Sequence, residues 1–123
     1  MPVPVLKQGD VLIASIQAAL SDADLLQLRD ELAEKVGRLR ARGVIVDVTA
    51  LDVMDSFATR TLRGIVQMTK LRGAETVIVG IQPDVASAMV QLGLTLDDID
   101  TALDLEDGFA VLAPLIAGRR RGG

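Results

Sequence analysis

Between Asp47 and Arg60 the chain gathers the side chains best suited to chemistry. There are carboxylates at Asp47, Asp52 and Asp55, hydroxyls at Thr49, Ser56 and Thr59, and the Arg60 guanidinium. Clustered carboxylates can hold a divalent cation or move protons, and a hydroxyl can attack a substrate or accept a phosphoryl group. The rest of the composition narrows the choice. The chain has no His and no Cys. That removes Ser-His-Asp and Cys-His catalysis, an imidazole base, thiolate zinc, iron–sulfur clusters and disulfides. The only lysines are Lys7, Lys35 and Lys70, none in Ser-x-x-Lys spacing with Ser56, so a nucleophilic Ser56 lacks a base. A magnesium site at Asp47, Asp52 and Asp55 stays open as an alternative of a different class, although the calcium-loop glycine and spacing are missing. A receiver-like phospho-aspartate at Asp47 is a further alternative. Against it, Ser15-Ile16-Gln17 stands where an acidic pair belongs, and no lysine follows Lys70. No Gly-x-x-x-x-Gly-Lys or Gly-x-Gly-x-x-Gly motif is present, so nothing cradles a nucleotide phosphate, and no cofactor or metal is expected.

Two readings of Ser56 remain. It is a preferred N-cap type and sits where a helix should begin, so capping alone explains it. It is also a hydroxyl beside the positive end of a helix, where a phosphate dianion is accommodated without unfolding the domain. A phosphate there would change the charge of a surface that already carries Asp47, Asp52 and Asp55, and so could break a protein contact. That candidate partner surface comprises Asp47, Thr49, Asp52, Asp55, Phe57, Thr59 and Arg60, with Gln82 and Pro83 from a neighbouring turn. Phe57 either packs inward to fix the helix start or faces the partner.

The elements that must position these residues follow from apolar patterning. Residues 3–6 and 11–16 read as two strands joined by a Gln8-Gly9-Asp10 turn, with Pro2 and Pro4 suiting the start of an edge strand. Ser21 caps a helix with Asp24 at its third position, and Leu25, Leu28, Leu32, Val36 and Leu39 form its apolar stripe; Gly43 is its expected left-handed stop. Val44-Ile45-Val46-Asp47-Val48 is apolar enough for a strand buried on both faces. A helix follows from Ser56 to about Arg72, with Phe57, Leu62, Ile65, Val66 and Met68 inward and Arg60, Arg63, Gln67 and Lys70 outward. A strand is expected at 76–80, and a helix from Pro83 to Leu92 stopped by Gly93. A short strand at 101–103 and a last helix over 105–117, with Leu105, Phe109, Leu112 and Ile116 as its stripe, complete the chain. Asp97, Asp98, Asp100, Asp104, Glu106 and Asp107 make a solvated acidic face. The order β-β-α-β-α-β-α-β-α implies one α/β domain over residues 1–117, with a mostly parallel sheet, an antiparallel first strand and four packed helices. Residues 118–123 read as a disordered basic, glycine-containing tail.

The 123 residues suffice for one domain with a substantial core, built from aliphatic side chains because Phe57 and Phe109 are the only aromatics. Thirteen Lys and Arg against seventeen Asp and Glu give a net charge of −4. An acidic chain with no Trp or Tyr is a poor binder of nucleic acid or anionic membrane. The opening residues lack a basic stretch followed by a long apolar run, so no signal peptide is expected, and the chain reads as cytoplasmic.

From Val46-Asp47-Val48 through Asp55-Ser56-Phe57 the sequence resembles the STAS domain family, the fold of the anti-sigma factor antagonists, with a matching order of elements over residues 3–117. Asp55-Ser56-Phe57, the stretch from Ala74 to Pro83, Leu92-Gly93-Leu94 and Thr101-Ala102-Leu103 are similar to the small, single-domain RsbS branch found in stressosomes. The common antagonist pattern Asp-Ser-Ser-Gly-Leu-Gly is replaced here by Asp55-Ser56-Phe57-Ala58-Thr59-Arg60, which favours that branch over a simple antagonist of an anti-sigma kinase. The resemblance implies a non-enzymatic interaction module of a stress-signalling assembly. It implies Ser56 as phosphoacceptor, a serine kinase of the RsbT type held until Ser56 is phosphorylated, scaffold paralogues of the RsbR type, and a phosphatase of the RsbX type that resets the state.

Overall fold

The computed structural model describes residues 3–93 and 99–122. Pro2, Leu94, Asp97, Asp98 and Gly123, which figured in the expectations above, lie outside these residues. The elements run β1 (Val5–Gln8), β2 (Val11–Ser15), α1 (Asp22–Leu39), β3 (Gly43–Asp47), α2 (Ser56–Leu71), β4 (Glu75–Val79), α3 (Pro83–Gln91), β5 (Asp100–Ala102) and α4 (Leu105–Gly122), in the expected order. The strands lie side by side as β1-β2-β3-β4-β5. The β1–β2 pair is antiparallel and every later pair is parallel. Gly9, with φ of 61°, makes the tight β1–β2 turn where a side chain would be strained.

Strand alternation sorts the core into two layers. Leu12, Ala14, Val44, Val46 and Ile78 face α1, α2 and α3, meeting Leu28, Leu32, Val36, Leu62, Ile65, Val85 and Met89. Val11, Ile13, Ile45, Val77 and Val79 face α4 and meet Leu112, with Phe109 and Ile116 half-buried beside it. In the α4 stripe, Leu105 is exposed rather than packed. Gly108 lets this helix lie close, since a Cβ there would stand 2.7 Å from Val79 Cγ1.

Helix α1 starts as expected. Ser21 Oγ accepts from Asp24 N at 3.1 Å, and Asp24 Oδ2 accepts from Ser21 N at 3.2 Å. Its end differs from expectation. Arg40, with φ of 52°, takes the left-handed position and Ala41 N returns to Val36 O at 3.2 Å. The apolar stripe ends at Leu39, so the chain turns there, and Gly43 instead opens β3, paired with Val11. The last helix also runs past Ala117, through the segment expected to be disordered, to Gly122. Arg119 fastens it, with Nε 2.8 Å from Glu75 Oε1 and Nη2 2.7 Å from Lys70 O.

Helix α2 buries more hydroxyl than its sequence pattern implied. Thr59, Thr61, Leu62, Ile65 and Thr69 are its buried residues, while Phe57, Val66 and Met68 are only half-buried. Each threonine hydroxyl donates to a carbonyl of its own helix: Thr59 to Asp55, Thr61 to Phe57 and Thr69 to Ile65. This back-bonding lets a polar residue occupy an apolar face. Thr69 Oγ1 also lies 2.6 Å from Thr76 Oγ1 of β4. With the Thr69 proton committed to Ile65 O, Thr76 is the donor of that bond.

Two expectations follow. Thr69→Val leaves the buried Thr76 hydroxyl without its acceptor and should cost about 1–3 kcal/mol in urea unfolding, most of it recovered in the Thr69→Val/Thr76→Val double variant. The Asp24 carboxyl is held below its ordinary pKa by the bonds it makes with Ser21. A lowered folded-state pKa stabilises the fold above the ordinary carboxylate range, and that contribution is lost as pH falls through the folded value. On acidification from about pH 6 to about pH 2, Asp24→Asn should therefore lose less Tm than the parent chain.

Candidate functional site

The loops after β3 and β4 leave the same edge of the sheet because the two strands are parallel neighbours, Asp47 aligned with Val79. Edges of this kind, beyond the carboxyl ends of parallel strands, are where α/β sheets present their sites. Asp47 ends β3, and its Oδ1 accepts from Thr49 N at 2.9 Å and from Thr49 Oγ1 at 2.6 Å. That bond shapes the turn. Thr49 O in turn accepts from Gln82 Nε2 at 2.7 Å, which ties the first loop to the start of α3. Gly80 completes the tie. Its φ is 80°, and a Cβ there would lie 2.9 Å from Thr49 Cβ. The turn Gly80-Ile81-Gln82-Pro83 thus stands beside the Ser56 loop, as expected from strand order.

Capping of α2 falls to Asp55 and not to Ser56. Asp55 is in extended conformation, and its Oδ1 accepts from Ala58 N at 2.7 Å. Asp caps as well as Ser does, and lying one residue earlier it takes the amide two residues beyond Ser56. Ser56 becomes the first residue of the helix, half-buried, and its hydroxyl makes no hydrogen bond among the described residues. The other helices place an acid in their first turn, Asp22 and Asp24 in α1, Asp84 in α3, Glu106 and Asp107 in α4, whereas α2 places none. Its exposed amides and positive dipole end therefore meet the Ser56 hydroxyl with no internal carboxylate after Asp55.

Most of the candidate partner surface is brought together at this edge. Thr49, Asp52, Asp55, Arg60 and Pro83 are exposed, and Asp47, Ser56, Phe57 and Gln82 half-buried. Phe57 belongs to neither apolar core cluster. Thr59 does not belong to the surface: it is 1% exposed, one turn into α2 on the face turned to the sheet, with its hydroxyl held by Asp55 O at 3.0 Å. Val53, 73% exposed beside Asp52, is a surface feature that loop composition did not single out. The carboxylates do not converge. Asp47 is used in a turn and Asp55 in a cap, and among the described residues no group of three or more His, Cys, Asp or Glu is placed to hold a metal. Asp104 likewise serves locally, accepting from Asp107 N at 2.8 Å at the start of α4. No helix among the described residues is long and apolar enough to cross a membrane.

The STAS domain family matches residues 3–108. The chain belongs to that family. It is 34% identical to a serine-to-glutamate variant of RsbS from Moorella thermoacetica, with a TM-score of 0.81 over 94% of this chain and 97% of that one. A chain of the stressosome, described as a signal integration and transduction hub, is 33% identical, with a TM-score of 0.75 over 91% and 97% of the two chains. The RsbT co-antagonist protein RsbRD of Bacillus subtilis (strain 168) is 27% identical over 81 residues, 66% of this chain and 29% of that protein. RsbRA of the same organism, also an RsbT co-antagonist, is 27% identical over 82 residues, 67% of this chain and 30% of that protein. The chain thus spans less than a third of the length of these two relatives. The anti-sigma factor antagonist SpoIIAA shares the fold, with a TM-score of 0.64 at 14% identity. By their names these relatives are regulators, and the STAS fold with its RsbS likeness is the one expected from Asp55-Ser56-Phe57 and the segments after it.

The division of labour at the helix start has a measurable signature. Asp55→Ala should cost about 1 kcal/mol in thermal or urea unfolding, while Ser56→Ala should be close to neutral. The reverse ranking would return the cap to Ser56.

Proposed function

We propose that this chain is an RsbS-type STAS subunit of a stressosome-like assembly in the cytoplasm. In this reading it has no catalytic activity of its own. It holds a serine kinase of the RsbT type at the edge carrying Ser56 and releases it when Ser56 is phosphorylated. The observation that carries the proposal is the release of Ser56 from structural duty. Asp55 caps the helix, so the Ser56 hydroxyl is available, and a phosphate on it meets the amides and dipole of α2. The added dianion would stand beside Asp52 and Asp55 and change the charge and shape that a partner fitted to the unmodified edge meets, without disturbing the core. Scaffold paralogues of the RsbR type are supported by the likeness to RsbRD, RsbRA and a stressosome chain. A phosphatase of the RsbX type would reset the state. Asp47, Thr49, Asp52, Asp55, Phe57, Arg60, Gln82 and Pro83 are the proposed contact residues.

The test is phosphate mapping by peptide mass after incubation with the cognate kinase and ATP-Mg²⁺. A single phosphate on the peptide containing Ser56, absent from Ser56→Ala, is expected. Phosphate found elsewhere, with Ser56→Ala still accepting it, overturns the assignment. Size separates the assembly reading from a simple antagonist: mixed with its scaffold paralogues, an assembly subunit enters a very large complex, and an antagonist does not.

A further inference from the structure

The edge of the sheet opposite Ser56 gathers bases, with Asp10, exposed in the β1–β2 turn, and Glu75 as acids beside them. Helices α1, α2 and α4 end there and bring Arg38, Arg40, Arg42, Lys70, Arg72 and Arg119 to it. Arg38 is paired with Glu34 at 2.7 Å and Arg119 with Glu75 at 2.8 Å. Arg40, Arg42, Lys70 and Arg72 are exposed and make no ion pair among the described residues. Arg40 keeps a side chain at a left-handed backbone position that glycine occupies at lower cost. The ends of α1 and α2 form one surface, since a Cβ on Gly37 would stand 3.4 Å from Arg72 Nη1. Between Lys70 and Arg72 stands Leu71, 90% exposed, the most exposed large apolar side chain among the described residues. Nothing in the fold uses it.

The opposite edge carries the counterpart. An apolar notch of about 120 Å³ opens between the start of α1 and the loop before α2, lined by Leu20, Leu25, Leu51, Val53 and Ala58 with Asp55 at its rim. For scale, an enclosed apolar cavity of about 150 Å³ admits the six carbons of benzene, and the four-carbon leucine side chain asks for less. The exposed carboxylate of Asp52 adjoins the lining residues Leu51 and Val53 in the chain.

We propose that copies of this chain associate head to tail, Leu71 of one copy entering the notch of the next while Lys70 and Arg72 face Asp52 and Asp55. A second copy fits this end better than a polyanion does. The protruding leucine adds nothing to phosphate contact, a net charge of −4 opposes nucleic acid, and apolar and charged features are matched in kind at the two ends. Such a contact is heterologous, so it does not close on a two-fold axis and propagates as a ring or an open row. It requires neither a kinase nor phosphorylation.

Sedimentation velocity on the full chain tests it, in about 0.01 M salt, where the Debye length is about 30 Å, and in about 1 M salt, where it is about 3 Å. The mean sedimentation coefficient should climb with protein concentration at low salt and return to the monomer value at high salt. Leu71→Asp and Val53→Asp, both at exposed sites and checked by circular dichroism, should each abolish the climb. An equimolar mixture of the two should restore a dimer and nothing larger, because each variant keeps one intact end. A wild-type chain that stays monomeric, a Leu71→Asp variant that associates like wild type, or a mixture that stays monomeric overturns the proposal. So does a monomeric wild type that pellets with vesicles of anionic lipid in a Leu71-dependent way, which would give this end to a membrane.

Discussion

Parallel strands joined through helices leave the helices no choice of direction. Each of the four begins at the carboxyl edge of the sheet and ends at the opposite one. Because β2 to β5 also lie in sequence order, the three crossovers advance the same way, and their common hand puts α1, α2 and α3 on one face. Only α4, which follows the last strand, is free to cover the other face. The burial pattern, the place of the loops and the sorting of charge all descend from that arrangement. Acids settle where helix dipoles are positive and bases where they are negative. A chain of modest net charge is thereby made strongly bipolar.

On that frame the site depends on a few short bonds. The Asp47–Thr49 turn, the Gln82 amide on Thr49 O and the side-chain-free Gly80 hold two loops against each other. Asp55 does the capping, which leaves its neighbour Ser56 chemically idle. An idle hydroxyl at a helix start with no acid in its first turn suits a regulatory surface. The carboxylates around it are each spent on a local bond or turned to solvent, and so do not assemble into a catalytic centre.

Much of this was legible in the sequence because it rests on local periodicity. The order of elements, the α1 stripe from Leu25 to Val36, the Ser21–Asp24 capping box and the adjacency of the Ser56 and Gln82 turns all follow from spacing. What escaped depends on contacts between distant residues or on near-equal local choices. Asp55 and Ser56 are both good caps, and side-chain type alone does not rank them. Thr59, Thr61 and Thr69 read as polar until their hydroxyls are seen bonded to carbonyls one turn back. Gly43 resembled a helix stop, but the stop came at Arg40, where the stripe ran out. The continuation of α4 beyond Ala117 coincides with the Arg119 bonds to Glu75 and Lys70, far away in sequence.

The Thr69–Thr76 hydroxyl pair has a consequence for a place it never touches. Aliphatic packing tolerates sliding, because one leucine in a groove resembles another, whereas a hydroxyl pair is satisfied at a single setting. It therefore indexes α2 against β4 as a dowel indexes two plates. Ser56 stands thirteen residues up the same rigid rod, about 20 Å at 1.5 Å per residue. The height of the serine above the sheet edge is thus set from the far end of the helix, in the dry interior, where neither a partner nor a phosphate can reach to change it.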